Sequence, residues 1–133
     1  MGKGTFTFPQ SDLICSQYEG TFLKNQFHGK GVLTFTNESQ YKGDFLHGKI
    51  TGSGTLTKPG VSVYEGQMIN GKKEGKGKLI FVNGDVYKGE FVGGMFEGKG
   101  EYKYDNGSVY IGDFMKNEKH GKGTLKINTK TGY

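Results

Sequence analysis

Side chains able to do chemistry are few in this chain, and their spacing argues against joint action. The histidines are His28, His47 and His120. A metal site needs several ligands converging at short range, and these three lie in different parts of the sequence. Turn and surface roles are expected of them, with no metal and no cofactor. Cys15 has no histidine near it in sequence to activate it, so a nucleophilic role is not expected. Gly-Lys-Gly triplets begin at Gly29, Gly75, Gly98 and Gly121. A phosphate-binding P-loop needs Gly-x-x-x-x-Gly-Lys-Ser/Thr between a strand and a helix, and that pattern is missing. No helix is predicted that would turn its N-terminus on a phosphate. The carboxylates mostly alternate with lysines, as on a solvated sheet face. The chain therefore reads as a non-enzyme.

Composition narrows the classes further. The 133 residues include 25 Gly, 8 Tyr and 10 Phe but no Trp. Glycine is far above its usual share and aliphatic residues are few, so an ordinary compact core is not expected. The aromatics are too many for a flexible glycine-rich linker. The net charge is +5, and all 18 basic residues are lysine. Without arginine there is no bidentate fork for guanine edges, so specific nucleic-acid recognition is not expected. A single cysteine excludes an intrachain disulfide and points to a reducing compartment. No apolar run approaches the roughly 20 residues that span a bilayer, and the N-terminus has no signal-peptide core. Met1-Gly2 resembles a myristoylation start, but Phe6 stands where Ser or Thr belongs. The expectation is an intracellular protein whose membrane contact, if any, is peripheral. On that footing the acceptor sequences Asn37-Glu38-Ser39 and Asn106-Gly107-Ser108 would go unglycosylated.

The elements that must position everything else are repeats. Tyr18, Tyr41, Tyr64, Tyr87 and Tyr110 recur every 23 residues, and Tyr133 continues the series. Two residues after each of the first five stands a glycine, and two further on Phe22, Phe45, Met68, Phe91 or Phe114. A Gly-x-Gly pair follows at the same interval, then Leu33, Leu56, Leu79, Tyr102 or Leu125. Phe35, Phe81, Tyr104 and Ile127 lie two residues beyond. Period-2 spacing places Tyr87, Gly89 and Phe91 on one face of a strand, with Lys88 and Glu90 on the other. Each unit is thus a β-hairpin with one wet face. Short loops such as 92–97 join its strands, and turns at Pro59-Gly60, Asn83-Gly84 and Asn106-Gly107 join successive units. Glycine beside an aromatic leaves a hollow that a ring from a neighbouring unit fills. The ten strands of these five units, about 4.8 Å apart, make a ribbon on the order of 50 Å long.

These residues resemble the MORN repeat (membrane occupation and recognition nexus), whose signature is roughly Tyr-x-Gly-x-Phe followed by Gly-x-Gly-x-Leu-x-Phe. Tyr64-Glu65-Gly66-Gln67-Met68 with Gly75-Lys76-Gly77-Lys78-Leu79-Ile80-Phe81 is a close copy. The resemblance implies an all-β, elongated, single-layer twisted antiparallel sheet of tandem hairpins, a solenoid. Residues 1–17 read as a half repeat plus an irregular loop at 9–17. Residues 18–133 hold five tandem repeats (18–40, 41–63, 64–86, 87–109 and 110–132). Lys58 replaces the second aromatic of the second unit and should thin the core there. A long polar turn is expected at 128–132. The absence of polar end caps suggests a piece of a longer array, or ends covered by a partner or a second copy.

The resemblance also implies a function. Family members act as cytoskeletal and ciliary scaffolds, cradle partner helices and dimerise end to end. The expectation is a scaffold holding an extended or helical partner segment, with a homodimer through the repeat ends as an option. The expected groove is lined by Tyr18, Phe22, Tyr41, Phe45, Tyr64, Met68, Tyr87, Phe91, Tyr102, Tyr104, Tyr110 and Phe114. The alternative is peripheral phospholipid binding through Lys72, Lys73, Lys76 and Lys78, with Lys116, Lys119, Lys122 and Lys126 as a second cluster. A further alternative is the targeting segment of a larger enzyme. The expected setting is the cytoplasm or cytoskeleton, with the ciliary axoneme or the membrane-proximal cortex as specific locations.

Overall fold

In the computed structural model, residues 2–128 are described; Tyr133 and most of the polar turn predicted at 128–132 lie outside them. The described residues contain no helix. They form one open antiparallel sheet of 11 strands in strict sequence order. The strands are β1 (Gly2–Thr7), β2 (Cys15–Leu23), β3 (Gln26–Phe35), β4 (Gln40–Leu46), β5 (Lys49–Lys58) and β6 (Ser62–Ile69). They continue with β7 (Lys72–Phe81), β8 (Val86–Val92), β9 (Met95–Lys103), β10 (Val109–Met115) and β11 (Glu118–Lys126). The meander follows from the short connections, because a hairpin joins only antiparallel neighbours.

The turns inside each unit are shorter than the sequence suggested. Val92 still belongs to β8 and Met95 already to β9, leaving Gly93-Gly94 as the whole loop. The equivalent pairs are Lys24-Asn25, His47-Gly48, Asn70-Gly71 and Lys116-Asn117, and both residues of every pair have positive φ. That is the type I′ geometry whose twist matches the flanking strands. At the N-terminus, strand begins at Cys15 rather than after Gln17, with Cys15 paired to Phe35. Asp12 makes this possible by accepting the N–H groups of Ile14 and Cys15 at 2.9 and 2.8 Å.

The core sits on one face and consists of the repeat residues. Tyr18, Tyr41 and Tyr87 are 0% exposed, and Phe45, Met68, Phe91 and Phe114 are buried with them. Beneath the tyrosines runs a row of glycines in register across all the strands. Gly4 faces Gly20, Gly20 faces Gly31, and the pairing continues to Gly112 and Gly123. Each tyrosine covers two of them within its own unit, not those of a neighbour. A Cβ on Gly100 would lie 2.6 Å from Cε1 of Tyr87, so no other residue fits beneath the ring.

Candidate functional site

Each repeat tyrosine is held at its tip as well as its face. The hydroxyl donates to the backbone oxygen three residues on: Tyr18 to Thr21, Tyr41 to Asp44, Tyr64 to Gln67, Tyr87 to Glu90 and Tyr110 to Asp113, at 2.7–3.2 Å. These acceptors lie where the register shifts between the two strands of every unit. The second strand carries the surplus residues and accommodates them through the first Gly of its Gly-x-Gly pair, as at Gly29, Gly75 and Gly98 (φ 79°, 80° and 68°). That left-handed conformation is why glycine recurs there. Side chains close two of these bulges: Asp44 accepts the Ser53 N–H at 2.9 Å and Gln67 that of Lys76 at 3.1 Å. Burial pushes the hydroxyls of Tyr41, Tyr64 and Tyr87 up to about 12. They stay neutral donors over the whole physiological range.

The tyrosines expected to line an open groove are therefore packed out of solvent. Tyr64 is 1% and Tyr110 8% exposed. Their rings are occupied by glycine backbone below and by a covering side chain above. Of the twelve expected groove residues, Phe22, Tyr102 and Tyr104 are half-buried and contribute surface. The Tyr102 hydroxyl donates to Asp85 at 2.7 Å, and burial followed by that carboxylate raises its pKa.

The covering side chain is a position that sequence reading missed. It follows the hairpin turn and is Phe27, Ile50, Lys73, Phe96 or Lys119 in successive units. Phe27 stacks on Tyr18 with centroids 3.9 Å apart, and Phe96 on Tyr87 at 3.8 Å. Lys73 holds its ammonium 5.6 Å above the Tyr64 ring, and Lys119 does so 5.3 Å above Tyr110. The changing residue type hid the position; only its fixed distance from Tyr marked it. Beside this cover the face is completed by half-buried Phe8, Phe35, Phe81, Tyr102 and Tyr104.

The lysine run at 72–78 is divided between the two faces of the sheet. Period-2 alternation sends Lys73 to the tyrosine face, while Lys76 and Lys78 stand on the opposite face among Glu65, Lys88 and Glu90. Burial, and then the charge of Lys58, lower the pKa of Lys73. In the second cluster Lys119 likewise leaves its neighbours for the tyrosine face. On the opposite face, the valley over the glycine row forms an open trough of about 1050 Å³ across β1–β6, walled by Lys30, Val32, Lys42 and Thr55. Ion pairs Lys30–Asp44 and Lys99–Asp113 cross this face.

The histidines are partly brought together. His28 and His47 lie with ring centroids 5.0 Å apart, and the His47 N–H donates to Nδ1 of His28 at 3.3 Å. This contact belongs to a series. Asn70 N–H donates to Thr51, Gly93 to Glu74 and Lys116 to Glu97, always 19 residues back. His28 is thus one member of a recurrent turn latch. Among the described residues no group of three or more candidate metal ligands forms.

The MORN repeat family model matches residues 1–12, 18–40, 41–60, 64–86, 87–109 and 110–130. No curated protein matches the chain.

Proposed function

The chain belongs to the MORN-repeat family, a repeat module of protein or membrane interaction, and we propose that it serves as a non-catalytic scaffold that captures a segment of a partner protein on its aromatic face. The supporting observation is the division of labour on that face. Buried tyrosines hold the backbone, while Phe27, Phe35, Phe81, Tyr102 and Tyr104 remain half-buried above them. Half-exposed aromatics on a rigid support suit recognition, because they offer large apolar area with little entropy to lose. The proposed setting is an intracellular assembly of the cytoskeletal or ciliary kind.

The test uses surface aromatics rather than core ones. Phe81→Ala and Tyr104→Ala are compared with the unmodified chain in affinity capture from native lysate, after circular dichroism has confirmed folding. Loss of captured partners supports the scaffold reading. Retention of every partner by well-folded variants removes it. Flotation with phosphatidylserine vesicles separates the membrane alternative: salt-sensitive flotation of a chain that captures no protein would put a lipid surface in the partner's place.

A further inference from the structure

The aromatic face is not uniformly apolar. Its cover position carries Phe27 and Ile50, then Lys73, then Phe96, then Lys119. In the row beside it, Phe35 and Phe81 flank Lys58. Two cations therefore stand together between an aromatic block at one end, around Phe8, Phe27 and Phe35, and another around Phe81, Phe96 and Tyr104. Lys119 closes the second block, its ammonium 5.1 Å from the Tyr104 ring centre.

Lys73 is placed at a cost. Ile50 and Phe96 show that an apolar residue fills the cover position, and it does so without drying a charge. Lys73 is half-buried and deprived of part of its water. The ion pairs found among the described residues are Lys30–Asp44 and Lys99–Asp113, so Lys58, Lys73 and Lys119 form no ion pair with a described carboxylate. Glu74, next to Lys73 in sequence, accepts the Gly93 N–H at 2.8 Å. A cation held against rings in reduced solvent attracts an anion more strongly than one on an open surface.

The geometry points to the occupant of this face: an amphipathic helical segment of a partner protein that sets a carboxylate on Lys58 and Lys73, between apolar side chains seated on the two aromatic blocks. This rests on the scaffold reading above and specifies its partner. A helix is favoured because the strand backbone beneath is already paired, so the occupant must satisfy its own N–H and C=O groups. Lys73 and Lys119 occupy equivalent positions two units apart, a separation of four strand spacings or about 19 Å. At a rise of 1.5 Å and 3.6 residues per turn, a second carboxylate for Lys119 falls on the same helix face about 11 or 14 residues along.

The probe is a phage-displayed library of random 20-residue peptides, panned on the immobilised full chain. The unmodified chain should enrich peptides rich in Asp or Glu together with Leu, Phe or Trp. The double variant Lys58→Glu/Lys73→Glu should enrich Lys or Arg in their place. A synthetic copy of the top peptide, followed by fluorescence anisotropy, should bind Lys58→Glu about tenfold more weakly. Lys58 is exposed at the end of β5, so this single variant tests the idea even if Glu at position 73 loosens the hairpin. Lys42→Glu, on the opposite face, should change nothing.

Enrichment without acidic residues, or the same peptides on the charge-reversed chain, overturns the inference while leaving peptide capture intact. No enrichment from any library overturns both. Binding to phosphatidylserine vesicles that Lys58→Glu abolishes, with no peptide selected, assigns the cations to a lipid headgroup and overturns it too.

Discussion

The ring of Phe96 lies flat on that of Tyr87, centroids 3.8 Å apart and planes within 5°. Tyr87 is thereby enclosed between a phenylalanine and the bare backbone of Gly89 and Gly100. Every unit repeats this enclosure, with only the upper member changing.

The first prediction concerns the lower member. Gly100→Ala introduces a methyl 2.6 Å from Cε1 of Tyr87 and 2.8 Å from Cζ. The φ of Gly100 is not in the left-handed region, so the cost is steric alone. Urea denaturation should show a loss of about 1–3 kcal/mol. If Gly100→Ala is neutral, the ring does not need the vacancy.

The tyrosine tip gives the second. Tyr87→Phe keeps the ring but leaves the Glu90 carbonyl at the bulge without its donor. The expected loss is about 1–2 kcal/mol with unchanged circular dichroism.

The upper member gives the third. Lys73→Phe should place a ring on Tyr64 as Phe96 is placed on Tyr87, gaining about 0.5–1.5 kcal/mol from the aromatic pair. The same variant removes the proposed carboxylate contact, so stability and acidic-peptide binding should move in opposite directions.

Alkaline titration gives the fourth. In the folded chain Tyr41, Tyr64 and Tyr87 ionise at about 12 against an ordinary 10.0. Because the folded value is the higher one, the stability they contribute is complete below pH 10. It is lost as pH rises towards 12. The tyrosinate absorbance of these three should therefore appear late and together with loss of the sheet signal. Ionisation of Tyr41, Tyr64 and Tyr87 near 10 with the sheet intact would contradict this.

Much of the fold was legible because its determinants have fixed residue types. A glycine under each tyrosine admits no substitute, so Gly89 and Gly100 announce themselves at 23-residue intervals. The site was less legible. Phe27, Ile50, Lys73, Phe96 and Lys119 share one task but no common chemistry, since a ring can be covered by another ring, an alkyl group or a cation. Burial of the tyrosines was also hidden. Period 2 gives the face a side chain takes, but not the residue that later lies on top of it. The latch from His47 to His28 escaped for a similar reason, as His, Thr and Glu all supply an acceptor.

That latch has a mechanical meaning. From the second unit on, each turn hangs on the unit before it, by a side-chain acceptor and by a backbone bond such as Gly94 N–H to the Lys73 carbonyl at 3.0 Å. Every interior unit thus presents the same socket to its successor and the same plug to its predecessor. Deleting or duplicating one whole unit would rejoin matching parts. The protein behaves as a graduated ruler, extensible in steps of two strand spacings, about 10 Å, without recutting any joint.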